Sequence, residues 1–128
     1  MLINVRKNTL TRLSKQTSIV GFGTTFIGNL RCGKDLYVAG RVEGDIEASD
    51  EAIIEIGDTG EVKGEIKGDS VLIYGTVDGD VSAIQKLEIG SSARVTGRLS
   101  YSLLKLEPGA VFEGELEHQD VDRSGISQ

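Results

Sequence analysis

Val62-Lys63-Gly64-Glu65-Ile66 carries a pattern, apolar-x-Gly-x-apolar, that returns along nearly the whole chain. It recurs as Phe26-Ile27-Gly28-Asn29-Leu30, Val42-Glu43-Gly44-Asp45-Ile46, Val77-Asp78-Gly79-Asp80-Val81, Val95-Thr96-Gly97-Arg98-Leu99 and Phe112-Glu113-Gly114-Glu115-Leu116. The six glycines stand 16, 20, 15, 18 and 17 residues apart, a period of about 17, and a fixed period of this size marks a repeat architecture. Between the pentads runs a second column of apolar pairs, Val20/Phe22, Leu36/Val38, Ile54/Ile56, Val71/Ile73, Leu87/Ile89 and Leu104/Leu106, which keeps the same step.

Alternation decides the secondary structure. In Val42-Glu43-Gly44-Asp45-Ile46 the apolar residues share one face and the two acids the other, the period of two that defines a strand. No stretch has a helical period long enough for a crossover helix, and leucine-rich, tetratricopeptide and ankyrin signatures are absent. The pattern predicts an all-β parallel solenoid. Three short strands and their corners make one turn of a triangular prism, and six coils at about 4.8 Å each make a body roughly 30 Å long over residues 19–116. Left-handed hexapeptide solenoids keep strictly to six residues, so spacing that drifts from 15 to 20 fits a right-handed β-helix. The glycine column is expected where an inward corner position leaves little room for a Cβ or needs φ > 0. Corners are short at Val38-Ala39-Gly40-Arg41-Val42 and Ile73-Tyr74-Gly75-Thr76-Val77. They are two residues longer after Ile56, Ile89 and Leu106, and Ala48-Ser49-Asp50-Glu51-Ala52 reads as an inserted, exposed loop.

Composition agrees with a narrow core. Of 128 residues 38% are hydrophobic, Trp is absent, and 17 are Gly, about one in eight against an ordinary one in fourteen. Residues 1–18 hold Arg6, Lys7, Arg12 and Lys15 and no acid, so the rest is more acidic than the net charge of −6 implies. An acidic body with no basic face or aromatic platform argues against nucleic acid. One cysteine, Cys32, allows no internal disulfide and fits a reducing cytoplasm; no apolar run approaches the roughly 20 residues of a membrane span. Residues 1–18 read either as a flexible basic tail or as a membrane-surface segment, with Met1, Leu2 and Ile3 inserting while Arg6 and Lys7 meet anionic headgroups. Residues 117–128 lose the period and are expected to be disordered.

No residue constellation rises to a catalytic, cofactor or metal site. His118, the sole histidine, falls in the expected tail, where neither a metal nor a Ser–His pair would find fixed neighbours. Cys32 would need a base beside it to act as a nucleophile, and reads otherwise as a small corner or surface residue. The Gly-Asp pairs at 44–45, 57–58, 68–69 and 79–80 lack the calcium-solenoid repeat and are ordinary turn residues. The alternating acids, from Glu43 and Asp45 to Glu113 and Glu115, leave open a small carbohydrate-binding or carbohydrate-modifying solenoid, which would need an acidic or aromatic cleft along one side. An acyltransferase of the hexapeptide kind would need a histidine inside the coils, and none is there.

The ends say more. A solenoid that stops exposes unpaired backbone groups and bare core unless it is capped. The first coil opens on Val20, Phe22 and Phe26 and the last closes on Val111, Phe112 and Leu116, with no amphipathic helix following. Either a terminal segment folds back as a cap, or the ends pair with other copies and build an open filament.

Taken in order, Thr17-Ser18-Ile19-Val20-Gly21-Phe22-Gly23-Thr24-Thr25-Phe26-Ile27-Gly28-Asn29-Leu30, Leu36-Tyr37-Val38-Ala39-Gly40-Arg41-Val42-Glu43-Gly44-Asp45-Ile46 and Pro108-Gly109-Ala110-Val111-Phe112-Glu113-Gly114 resemble the bactofilins, bacterial cytoskeletal proteins, over about residues 18–116. The resemblance implies a right-handed parallel β-helix that polymerises end to end without nucleotide or cofactor, flanked by flexible termini. It implies a cytoplasmic filament at the inner membrane that scaffolds cell-wall enzymes and cell-shape factors, with a short N-terminal segment touching the lipid. A hydrophobic residue of the last coil belongs to that family's polymer contact, and Val111 and Phe112 stand at the matching positions.

Overall fold

A computed structural model describes residues 17–119. Its first coil is β1 (Ser18–Val20), β2 (Thr25–Ile27) and β3 (Leu30–Cys32), and its second is β4 (Leu36–Val38), β5 (Arg41–Glu43) and β6 (Ile46–Ala48). The third runs through β7 (Ile53–Ile56) and β8 (Glu61–Lys63) into the start of β9 (Ile66–Ile73). The end of β9, β10 (Thr76–Asp78) and the start of β11 (Val81–Ile89) make the fourth, and the end of β11 with β12 (Arg94–Tyr101) the fifth. The sixth is β13 (Leu103–Leu106) and β14 (Val111–His118). There is no helix among the described residues, and the chain forms a parallel β-solenoid of about six turns.

Register fixes the three faces. On the first, Leu36 pairs with Ile54, then Val71, Leu87 and Leu104 in successive coils. On the second, Phe26, Val42, Val62, Val77, Val95 and Phe112 stack one per coil. On the third, the column is Leu30, Ile46, Ile66, Val81, Leu99 and Leu116. From the second coil to the fifth these residues are buried. β-branched and leucyl side chains fill such columns because successive rungs put like shapes in contact at strand spacing.

The glycines of the pentad column all have positive φ, 147° at Gly64 and 149° at Gly79. Their cause differs from a crowded inward corner. A Cβ on Gly79 would fall 2.1 Å from the carbonyl oxygen of Gly64, and one on Gly64 equally close to that of Gly44. What excludes a side chain is the backbone of the preceding coil. Beside this ladder runs a polar one: Asn29 Oδ1 accepts from Asp45 N–H at 3.0 Å, Asp45 Oδ1 from Glu65 N–H at 3.0 Å, and Asp80 Oδ1 from Arg98 N–H at 3.1 Å. The aspartates of two Gly-Asp pairs thus satisfy backbone donors of the next coil, as turn residues do.

Four details depart from the sequence reading. The first-face column starts with Ser18 and Val20, opposite Leu36 and Val38, so Phe22 is not its member. Phe22 lies in a turn closed by Thr24 N–H to Gly21 O at 3.0 Å and is 81% exposed. This is the same long corner as at Gly57–Gly60, Gly90–Ala93 and Glu107–Ala110, and its apolar residue imitated the column. Cys32 is buried on β3, not at the surface, and burial pushes its thiol pKa up. Glu117 and His118 belong to β14, whose pairing with Ser100 and Tyr101 carries the sheet two residues past the expected boundary. In the inserted loop Ala52 is buried rather than exposed.

That loop is pinned from the following coil. Glu51 has φ 67° and its N–H donates to the buried carboxylate of Asp69, which also receives Gln85 Nε2 at 3.4 Å. Asp69→Ala leaves the Glu51 donor without this acceptor and is expected to cost about 1–2 kcal/mol, measured as a lower midpoint in urea unfolding.

Candidate polymer interface at the ends of the solenoid

Each inner rung pairs on both sides, but the end rungs do not. Among the described residues β1, β2 and β3 pair only with β4, β5 and β6, and β13 and β14 only with β11 and β12. Both ends therefore present a triangle of one-sided parallel edges, which ordinary proteins cover or charge because such edges recruit further strands.

The side chains on those edges are apolar. At the N-terminal end Phe26 and Leu30 pack against the core while half-exposed, and Val20 is buried. At the other end Leu104 and Phe112 pack partly against the core, and Leu116 is 47% exposed although its partner Leu99 is fully buried. Val111 and Phe112 separate clearly: Val111 is opposite exposed Arg94, whereas Phe112 stacks on buried Val95 and continues a core column. Of the anticipated interface residues, Phe26, Phe112 and Leu116 lie in core columns cut off at an end, Val20 lies inside, and Phe22 and Val111 lie on the outer surface.

Sequence reasoning missed the outward residues of the end coils. Ile27, 76% exposed, heads a column that continues as Glu43, Lys63 and Asp78; Leu103, 64% exposed, ends one that runs through Ile53, Ser70 and Lys86. That Ile27 and Leu103 stand at the ends of their outward columns is visible only once register is known. His118, placed by the sequence in a tail, sits on the C-terminal edge with its ring 5.8 Å from that of Tyr101 and Nε2 3.0 Å from Ser102 O.

The flanks are mostly charge-balanced: Arg41 meets Glu43 at 2.8 Å and Glu61 at 3.5 Å, Arg98 meets Glu115 at 3.2 Å, and Arg31 meets Glu47 at 3.8 Å. Exposed pairs of this kind contribute little stability. A shallow groove of about 240 Å³ lies on the corner after the first face, lined by Tyr37, Glu55, Gly57, Asp58, Tyr74 and Ser92. Tyr74 donates its hydroxyl proton to Glu88 at 3.0 Å. Burial and then that carboxylate push the phenol pKa up to about 12, while the hydrogen bond from Tyr74 draws the Glu88 carboxyl below its usual range against the opposing effect of burial. No group of three or more His, Cys, Asp or Glu suited to a metal occurs among the described residues. No helix among them is long and apolar enough to cross a membrane. Met1, Leu2, Ile3, Arg6 and Lys7, the candidate lipid contacts, lie outside the described residues.

Comparison with known proteins bears on these ends. Residues 18–117 match the family model Bactofilin, described as polymer-forming cytoskeletal. Bactofilin BacP of Myxococcus xanthus is 30% identical over 82% of this chain, which spans only 43% of BacP. Bactofilin BacN of the same organism is 37% identical over 80% of the chain and 88% of BacN. Among solved structures, a cryo-EM reconstruction of Thermus thermophilus bactofilin double helical filaments superposes with a TM-score of 0.72 at 33% identity, covering 80% of this chain and 99% of that one.

Proposed function

The chain belongs to the bactofilin family, and on that premise we propose that it polymerises end to end into a cytoskeletal filament without nucleotide. The observation that carries this reading is the pair of one-sided triangular edges, where the core columns of Phe26 and Leu30 and of Phe112 and Leu116 run out without a covering element among the described residues. Burying such an end against another copy removes apolar surface from water at about 25 cal/mol per Å² and pairs idle backbone groups. A two-ended building block with no closing rotation gives an open polymer. The filament of the Thermus relative, built from a chain of almost the same length as this body, supports the same outcome.

The filament then serves as a scaffold in the cytoplasm, recruiting cell-wall enzymes and cell-shape factors at the inner membrane. Met1, Leu2 and Ile3 supply an apolar tip and Arg6 and Lys7 two charges, each contributing about 1 kcal/mol near an anionic leaflet. Every copy in a filament adds such a segment, so weak single contacts multiply. No enzymatic activity is part of this reading, and family membership favours it over the carbohydrate-binding alternative, whose one structural support is the small groove beside Tyr37 and Tyr74.

Purified protein at physiological salt, free of nucleotide and metal, is expected to show thin filaments by negative-stain microscopy and to sediment with phosphatidylglycerol vesicles. A monodisperse monomer in light scattering overturns the polymer reading. Filaments that ignore the vesicles overturn only the membrane contact.

A further inference from the structure

The groove on the corner after the first face has features that an inert flank does not need. The Tyr37 ring is laid across Gly57 of the next coil, so closely that a Cβ there would meet its hydroxyl at 2.4 Å, and Tyr74 lies over Gly90 in the same way. Each tyrosine thus sits against a glycine of the next coil, and both side chains line the groove together with Gly57 and Asp58. Glu55 and Asp58 line the same groove. Among the described residues neither has a cation within ion-pair distance, whereas the neighbouring Glu88 is matched by Lys86 at 3.5 Å and Glu107 by Lys105 at 4.0 Å. Burial first, then the hydrogen bond and charge of Glu88 and the charges of Glu55 and Glu107, push the Tyr74 phenol pKa up.

Aromatic faces beside unneutralised carboxylates recognise an ammonium or guanidinium group, through the ring quadrupole and a charge-assisted hydrogen bond. A neutral sugar would use the rings but leave both charges uncompensated. The chain itself carries a suitable cation close by. Residues 1–16 contain Arg6, Lys7, Arg12 and Lys15 and no acid, and they join the body one residue before β1, where Ile19 lies opposite Tyr37. Gly57 is two coils from that junction, about 10 Å along the axis, and sixteen residues can span up to roughly 55 Å.

We propose that the groove of Tyr37, Glu55, Asp58 and Tyr74 is a docking site for the basic segment 1–16 of this chain, holding a lysine side chain against the two rings. Tethering supplies an effective concentration on the order of millimolar, so a weak contact suffices. The segment offered to the groove is the one the proposed function assigns to lipid, so docking and membrane contact exclude each other. Docking thereby lowers the number of anchors free to meet the membrane. This regulatory consequence rests on that function, whereas the docking itself does not.

The two are separated by one experiment on the full chain. A zero-length carbodiimide joins a lysine amine to a carboxylate only where they touch, and peptide mass spectrometry reads the pair. The expected products join Lys15 or Lys7 to Glu55 or Asp58, and 0.5 M salt suppresses them at least fivefold while a neutral oligosaccharide leaves them unchanged. Tyr37→Ala keeps both carboxylates but removes one ring; with its circular dichroism unchanged, it should lower that yield at least fivefold and tighten binding to phosphatidylglycerol vesicles about threefold. Absence of these products in the native chain, an unchanged yield in Tyr37→Ala, or displacement by the oligosaccharide overturns the docking site. Cross-links as expected with no vesicle binding by either protein leave docking intact and remove the membrane reading.

Discussion

Phe112→Arg is expected to raise the critical concentration for assembly about a hundredfold or more, equivalent to about 2.8 kcal/mol per junction, while leaving the monomer folded. Phe112 is the last member of the column that runs from Phe26 through Val42, Val62, Val77 and Val95, and it is covered by the core on one side only. Closing the other side against a second copy buries much of a phenyl ring, worth about 2–3 kcal/mol. An arginine there loses that burial and adds an unpaired guanidinium to an apolar contact. In the monomer the same side chain can turn toward water, so the far-ultraviolet circular dichroism and the unfolding midpoint should barely change. Val111→Arg provides the internal comparison. Val111 faces outward opposite Arg94, and the shift in critical concentration, read by sedimentation, should be at most about tenfold. Equal effects at the two positions would mean that the junction is a lateral contact and not a stacked one.

Much of this architecture is legible in the sequence because a solenoid is quasi-one-dimensional, so that each coil must satisfy only its neighbours. The pentad column reports the second and third faces at every coil, since glycine, polar and apolar positions there are fixed by the same contacts from one coil to the next. The first face is less well determined. Its strands leave through corners of two lengths, and at the first corner Phe22 stands where a shorter corner would have placed a core residue; only the pairing of Val20 with Val38 settles the phase. Cys32 and Ala52 read as surface because small side chains carry little hydropathy signal, yet beside a corner a small side chain is what fits. The apolar tips were visible in Phe26, Phe112 and Leu116, but Ile27 and Leu103 were not, because an isolated apolar residue on an outward position means nothing until it is seen to end an outward column. The lateral groove was invisible for a related reason: Tyr37 and Tyr74 are 37 residues apart in number and meet only through the glycines of the coils that follow them.

Gly79→Val should unfold the protein, with a loss of at least about 4 kcal/mol, the range reserved for changes the structure cannot absorb. Two penalties combine. A φ of 149° strains any L-residue and a β-branched one most, by about 1–3 kcal/mol. The Cβ would also lie 2.1 Å from the carbonyl oxygen of Gly64, and neither atom belongs to a flexible side chain. Relief requires the fourth coil to lift off the third, which would part the sheet on two faces, since the Val77 and Val81 rungs flank the site. Gly28 divides the two penalties. It has φ 134°, but among the described residues no coil precedes it, and the nearest atom to a new Cβ is Phe26 Cε1 at 3.6 Å. Gly28→Ala should therefore cost only the strain, about 1–2 kcal/mol, whereas Gly79→Ala should cost at least twice as much. Both are measured by urea unfolding in the Phe112→Arg background, where assembly does not add to apparent stability. Similar losses at the two glycines would assign the column to backbone strain alone and remove the carbonyl contact as its cause.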